Sequence, residues 1–154
     1  MLWMIAMEDL RETFKRVLEM GYLMSLATTD EEGVWVADVV YVYDSDLNIY
    51  WRSLESTRHS RAIIWNPKVA AAITANQRGE PDLGIQLEGT AKKLEGGHTA
   101  KVEQMYKAKK TKKGEYPSKT VKEMTGIAWY CLKPKKVDII NEELWEFEKK
   151  TLVL

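Results

Sequence analysis

The chain has 154 residues, enough for one domain with its own core and no need of disulfide staples. Its 23 Lys and Arg balance 23 Asp and Glu, so no net field steers it toward nucleic acid or an anionic membrane. A hydrophobic share of 45% with 30% charged residues is ordinary for a soluble globular protein.

Met1-Leu2-Trp3-Met4-Ile5-Ala6-Met7 is apolar, lacks a basic start and runs into Glu8 and Asp9. A signal peptide is therefore not expected, and the run is too short to span a bilayer. Leu10, Phe14, Val17 and Leu18 recur at helical spacing and predict a helix over 7–20 that Gly21 stops. Residues 22–28 read as a buried strand, turned by Asp30-Glu31-Glu32-Gly33, and 34–43 is β-branched and aromatic, broken only by Ala37 and Asp38. Asp44-Ser45-Asp46 is turn chemistry. A strand over 48–53 then stops at Leu54-Glu55-Ser56, and a helix over 57–65 is halted by Asn66-Pro67. Strands follow at 69–75 and 83–94, separated by a polar loop at 76–81, and Gly89 is expected to mark a bend or bulge.

A second helix is predicted over 99–113, with Val102, Met105 and Tyr106 on one side and Lys101, Lys107, Lys109, Lys110, Lys112 and Lys113 on the other. That lysine face reads as solvated. Only Tyr106 and Tyr116 interleave it, so nucleic-acid recognition is poorly supported. Ser118 or Thr120 would cap a short helix over 121–124; a strand over 127–132, bent at Pro134, resumes at 137–140, and 143–147 is a short strand or a helix turn. The single cysteine, Cys131, lies in an apolar strand pattern, cannot form an intrachain disulfide and suits a reducing cytoplasm. Strands joined by tight turns, with one short helix inserted, predict a mainly β domain over 1–154 whose antiparallel sheet closes on itself between flanking helices.

The junction of the 48–53 strand and the 57–65 helix holds the densest chemistry. Ser56, Thr57, Arg58, His59, Ser60 and Arg61 lie where a helix start leaves backbone N–H groups unpaired and the helix dipole attracts an anion. Two guanidinium groups and an imidazole there make a phosphate pocket; the plainer reading is a capping hydroxyl beside solvated arginines. Two histidines, His59 and His98, and one cysteine at unhelpful spacing give no support to a metal site, and no nucleophile elbow, P-loop or Gly-x-Gly-x-x-Gly turn occurs.

The same block resembles the FMN-binding split barrels related to pyridoxamine 5′-phosphate oxidase. Thr57-Arg58-His59 stands where that family has Ser-Arg-Lys, and Asn66-Pro67-Lys68-Val69 matches the signature that follows. Met24-Ser25-Leu26-Ala27-Thr28-Thr29 with Gly33, and Gly84-Ile85-Gln86-Leu87-Glu88-Gly89-Thr90-Ala91, extend the resemblance over roughly 21–94. It implies an antiparallel split β-barrel, a homodimer holding FMN at the subunit interface, and electron transfer between a reduced nucleotide, FMN and an unidentified small acceptor. A non-catalytic barrel for FMN or haem is the alternative. For the phosphate it implies Thr57, Arg58, His59 and Ser60. For the ring it implies the strands carrying Asp38 and Val39, and Trp51, Arg52 and Ser53, with Gln86 weakly. Asp38 is either an outward residue or a polar contact, and Trp51 either core or cofactor wall. His59 in place of lysine leaves the phosphate a weaker, pH-dependent partner. The family's Arg-x-His segment is missing from 128–154, which disfavours vitamin B6 oxidation.

Overall fold

The computed structural model describes residues 2–95, 99–110 and 125–154. The elements run α1 (Leu2–Met20), β1 (Leu23–Asp30), β2 (Gly33–Val40), β3 (Val42–Tyr43), β4 (Ile49–Leu54), α2 (Arg58–Trp65), β5 (Lys68–Thr74), β6 (Leu83–Lys93), α3 (Thr99–Lys110), β7 (Ile127–Asn141), α4 (Glu142–Trp145) and β8 (Lys149–Val153). The strands form one sheet in the order β2-β1-β5-β6-β7-β4-β3, with β8 also paired to β7, and every pairing is antiparallel. The sheet curls into a half-barrel, as the predicted split barrel requires.

Alternation sets which face is inside. β5 reads exposed and buried in strict turn, so Val69, Ala71 and Ile73 enter the core while Ala70 and Ala72 stay outside. Phe14, Val17 and Leu18 of α1 close one end of that core. Trp51 of β4 and Tyr130 of β7 stack at its centre with ring centroids 5.6 Å apart. Tyr41, fully buried, donates its hydroxyl to the Leu18 carbonyl at 2.8 Å and so ties α1 to the sheet.

Several predicted boundaries move. The stretch over 34–43 is two strands, interrupted at Tyr41, whose partner is α1 rather than the sheet ladder. The segment bent at Pro134 is one continuous 15-residue strand. The bend is absorbed by a register shift between Glu88 and Gly89, where Gly89 faces Pro134 and Lys133. Gly89 thus marks the bulge expected of it. A methyl group there would collide with the Lys133 carbonyl oxygen. The 143–147 stretch is largely the short helix α4, and the strand β8 beyond it went unpredicted. The short helix over 121–124 with its caps, His98, Tyr116, Lys112 and Lys113 lie outside the described residues.

Gly89→Ala should destabilise the fold by roughly 1–3 kcal/mol, because the added methyl meets backbone that cannot rotate away. Urea unfolding of the two proteins measures this.

Candidate functional site

The start of α2 is fixed by what precedes it. Thr57 is extended (φ −67°, ψ 153°) and caps the helix, its Oγ1 accepting from the Ser60 amide at 3.4 Å. The same oxygen lies 2.9 Å from the Leu54 carbonyl, 2.8 Å from Ser60 Oγ and 3.2 Å from His59 Nε2. A carbonyl has no proton to give, so the single Thr57 hydroxyl proton goes to Leu54, and Ser60 donates to Thr57. His59 Nε2 also meets Ser53 Oγ, the last polar group of β4, at 2.8 Å. Four polar side chains from a strand end and a helix start therefore share one network.

The helix side of that network is buried, while Ser53 and Thr57 are half-buried. His59 is 8% exposed and Ser60 1%. Burial pushes the imidazole below its usual value, which favours the uncharged ring beside Ser53. In β1, against which α2 packs, the buried Thr28 hydroxyl has no partner among the described residues.

Arg58 points elsewhere. Its Nε and one Nη donate to the two Asp30 carboxylate oxygens at 2.8 and 3.0 Å, and its guanidinium carbon lies 4.8 Å from the Trp35 ring centroid. This bidentate pair ties α2 to the β1–β2 turn and holds the Asp30 carboxyl below the usual carboxylate range. Glu32 lies 3.9 Å from the same guanidinium. Arg61 donates to the Ser56 carbonyl at 2.7 Å. Arg58 is part-exposed and Arg61 exposed, and both line one surface pocket with Asp30, Glu31 and Glu32.

The other expected residues divide by sheet face. Val39 is a core residue, and Trp51 is fully buried against Tyr130, so only its backbone is available to a ligand. Arg52 lies on the opposite face of β4, its guanidinium 4.5 Å from the Tyr106 ring centroid on α3. Asp38 points outward and accepts from Ser25 Oγ at 2.6 Å. Gln86 also points outward and accepts from Lys149 Nζ at 2.8 Å. The ladder puts both in one outer row, Asp38–Ser25–Ala72–Gln86. The structure thus gathers Ser53, Thr57, His59 and Ser60, keeps Arg58 beside them on Asp30, and leaves Asp38 and Gln86 on the outer face. Asp30 and Trp35 went unremarked as site residues; Asp30 read as turn chemistry, and only the fold brings it to α2. Among the described residues no group of three or more His, Cys, Asp or Glu side chains could hold a metal ion, and no helix is long and apolar enough to cross a membrane.

Solved structures with this architecture include a pyridoxamine 5′-phosphate oxidase candidate from Listeria innocua (TM-score 0.66, 17% identity, 86% of this chain and 98% of that one). The chain folds as a split barrel of the pyridoxamine 5′-phosphate oxidase type. A haem-binding protein from Mycobacterium smegmatis (TM-score 0.68, 17% identity, 89% of this chain and 55% of that one) shares the fold. So does an FAD-binding protein from Mesorhizobium loti (TM-score 0.63, 14% identity, 80% and 88%). No family model matches the sequence. By sequence the chain is similar to a UPF0306 protein from Photorhabdus laumondii, 34% identical over 83 residues, covering 53% of this chain and 58% of that one. Another UPF0306 protein, from Klebsiella pneumoniae, is 29% identical over 93 residues, covering 59% and 63%. The matches span about three fifths of these relatives' length.

A buried neutral imidazole makes stability depend on pH. The unfolded chain takes up a proton near pH ~6.5 while the native imidazole resists it. Stability should therefore fall as pH drops below that value, and His59→Gln should remove part of the loss. Urea midpoints at about pH 7.5 and 5.5 for both proteins measure it.

Proposed function

We propose that this chain is an FMN-binding flavoprotein, with the flavin phosphate at the start of α2. The observation that carries this reading is the convergence of Ser53, Thr57, His59 and Ser60 with the N-terminal amides of α2 at one point. A phosphate there would take over hydroxyl and imidazole hydrogen bonds that the network now makes internally, beside the first amides of α2. Haem fits less well. Its iron asks for an axial donor facing open space, and Nε2 of His59, the one described imidazole, is committed to Ser53 and Thr57. FMN is therefore favoured over haem, although neighbours of this fold bind one or the other kind of cofactor.

A bound flavin supplies hydride and electron transfer between a reduced nucleotide and a small acceptor. The protein's part is to hold the phosphate at α2 and to offer the backbone of β2 and β4 to the ring. Arg58 belongs to the same helix turn but is paired with Asp30, so a phosphate competes with that carboxylate for the guanidinium. A second copy completes the arrangement. The outer face of β2, β1 and β5 carries Val34 at 72% and Val36 at 57% exposure beside the small Ala70 and Ala72, an apolar patch among polar rows that a second copy would cover. Asp38 and Gln86 lie on that face and would be offered to the partner's flavin. The reading includes oxidoreductase activity in the cytoplasm; the alternative is a barrel that holds FMN or haem without turnover.

One visible spectrum of the purified protein, followed by NADH or NADPH under anaerobic conditions, tests the proposal. Flavin bands that bleach support an oxidoreductase, flavin bands that do not bleach support a carrier, and a Soret band or no binding of added FMN overturns the FMN reading. Titration by flavin fluorescence quenching tests the residues. Arg58→Ala should weaken FMN about ten- to a hundredfold. Asp30→Asn should tighten it severalfold, because the Arg58 guanidinium is then released to the phosphate. FMN binding should also tighten modestly below pH ~6.5, where the phosphate draws a proton onto His59. Riboflavin, lacking the phosphate, should show none of these effects.

A further inference from the structure

The lysine-rich helix does not behave as one solvated face. On α3, Lys101 and Lys107 are exposed, but Lys109 is half-buried and reaches back to the barrel. Its Nζ donates to the Tyr41 carbonyl at 2.7 Å and lies 3.6 Å from the Tyr41 ring centroid. It also borders a cavity of about 460 Å³ between α1, β3 and α3, walled by Leu18, Val42, Tyr43 and Met105. A cavity of this size with an apolar body and a few convergent polar groups is the form of a small-molecule site.

The acidic groups facing that space are already engaged. Glu19 of α1 accepts the Tyr43 hydroxyl at 2.5 Å. Asp44 accepts from the amides of Asp46 and Asn48, from the Asn48 side chain and from the Tyr50 hydroxyl, at 2.9, 3.0, 3.1 and 2.7 Å. The lysine nitrogen is the nucleophilic group at the cavity. We propose that this cavity takes a small aldehyde or ketone with an apolar body, and that Lys109 holds it as a reversible imine.

The groups facing Lys109 are Glu19 from α1, Tyr41 and Tyr43 from the sheet and Asp44 from the following turn. Glu19 favours the charged ammonium, but burial outweighs it and brings Lys109 down to about 8. Tyr43 is pushed up to about 12 by burial and by Glu19, so its hydroxyl keeps its proton and holds the Glu19 carboxylate at the cavity wall. In the reaction the neutral Nζ adds to the carbonyl carbon, forming a C–N bond as the C=O π pair moves to oxygen, and the two protons lost from nitrogen pass in turn to that oxygen. That oxygen then leaves as water, breaking the C–O bond and giving C=N. No oxidant or reductant takes part. The pocket rests on elements other than the α2 junction, so it stands whether or not FMN binds there.

Reductive trapping of the full chain with benzaldehyde and sodium cyanoborohydride near pH ~7, read by peptide mass spectrometry, tests the proposal. A nitrogen titrating near 8 holds roughly a few hundredfold more neutral amine at that pH than an ordinary lysine. Allowing for its lower intrinsic nucleophilicity, Lys109 should be alkylated at least about tenfold faster than Lys101 and Lys107. Its labelling should rise through pH ~8 rather than ~10.4. Lys109→Arg should abolish that adduct, and Tyr43→Phe should slow it. Should either variant fail to fold, the wild-type ratio among the three lysines decides alone. Lys109 labelled no faster than Lys101 and Lys107 overturns the proposal. So does equal labelling by benzaldehyde and by glyoxylate, because an apolar cavity must prefer the aromatic aldehyde.

Discussion

The structure depends on a single long strand. β7 pairs with β6 on one edge and with β4 and β8 on the other, along different parts of its 15 residues. A flat strand of that length could not serve both halves of a curled sheet, so the bulge opposite Pro134 is a requirement of the topology. Downstream of the bend, Val137 and Ile139 continue the core with β6 and β8. Upstream, Tyr130 meets Trp51 and fixes β4. The β4 ladder runs from Ile49↔Leu132 to Leu54↔Ile127, so β7 also sets where Ser53 stops. His59 can reach Ser53 only because that strand end and the first turn of α2 are held in register by the core below them.

Legibility in the sequence followed how local each signal was. Thr57 was readable as a cap because capping needs only three neighbouring residues, and Gly89 was readable as a bulge because a strand interior has few other uses for glycine. Tyr41 hid a strand break inside a β-branched run, since its partner, the Leu18 carbonyl, is 23 positions away. β8 was missed for a related reason: Lys149-Lys150-Thr151 reads as polar tail, and only the β7 edge makes it a strand. At the candidate site, Ser53, Thr57, His59 and Ser60, which the resemblance drew attention to, meet at one helix start. The destination of the Arg58 guanidinium was not legible, because Asp30 lies on another hairpin, 28 positions earlier. Nor was Lys109, whose spacing matched its solvated neighbours while its partner, Tyr41, lay 68 positions away.

Charge at the α2 start is set by competition rather than by count. Two arginines and a histidine in four residues suggest a strongly positive pocket, yet the fold cancels most of that charge. Arg58 is matched by Asp30, with Glu32 nearby; Arg61 is turned to a backbone carbonyl; and His59 is kept neutral by burial. What remains beside the exposed Arg61 is a half-buried network of neutral polar groups at a helix N-terminus, held by mutual hydrogen bonds. Such a site costs little to leave empty, because no buried charge is stranded. In the proposed site an arriving anion would draw a proton onto His59 and loosen Arg58 from Asp30. Such a clamp would respond to pH and to the acidity of the β1–β2 turn, because His59 is a titratable imidazole and Arg58 is shared with Asp30.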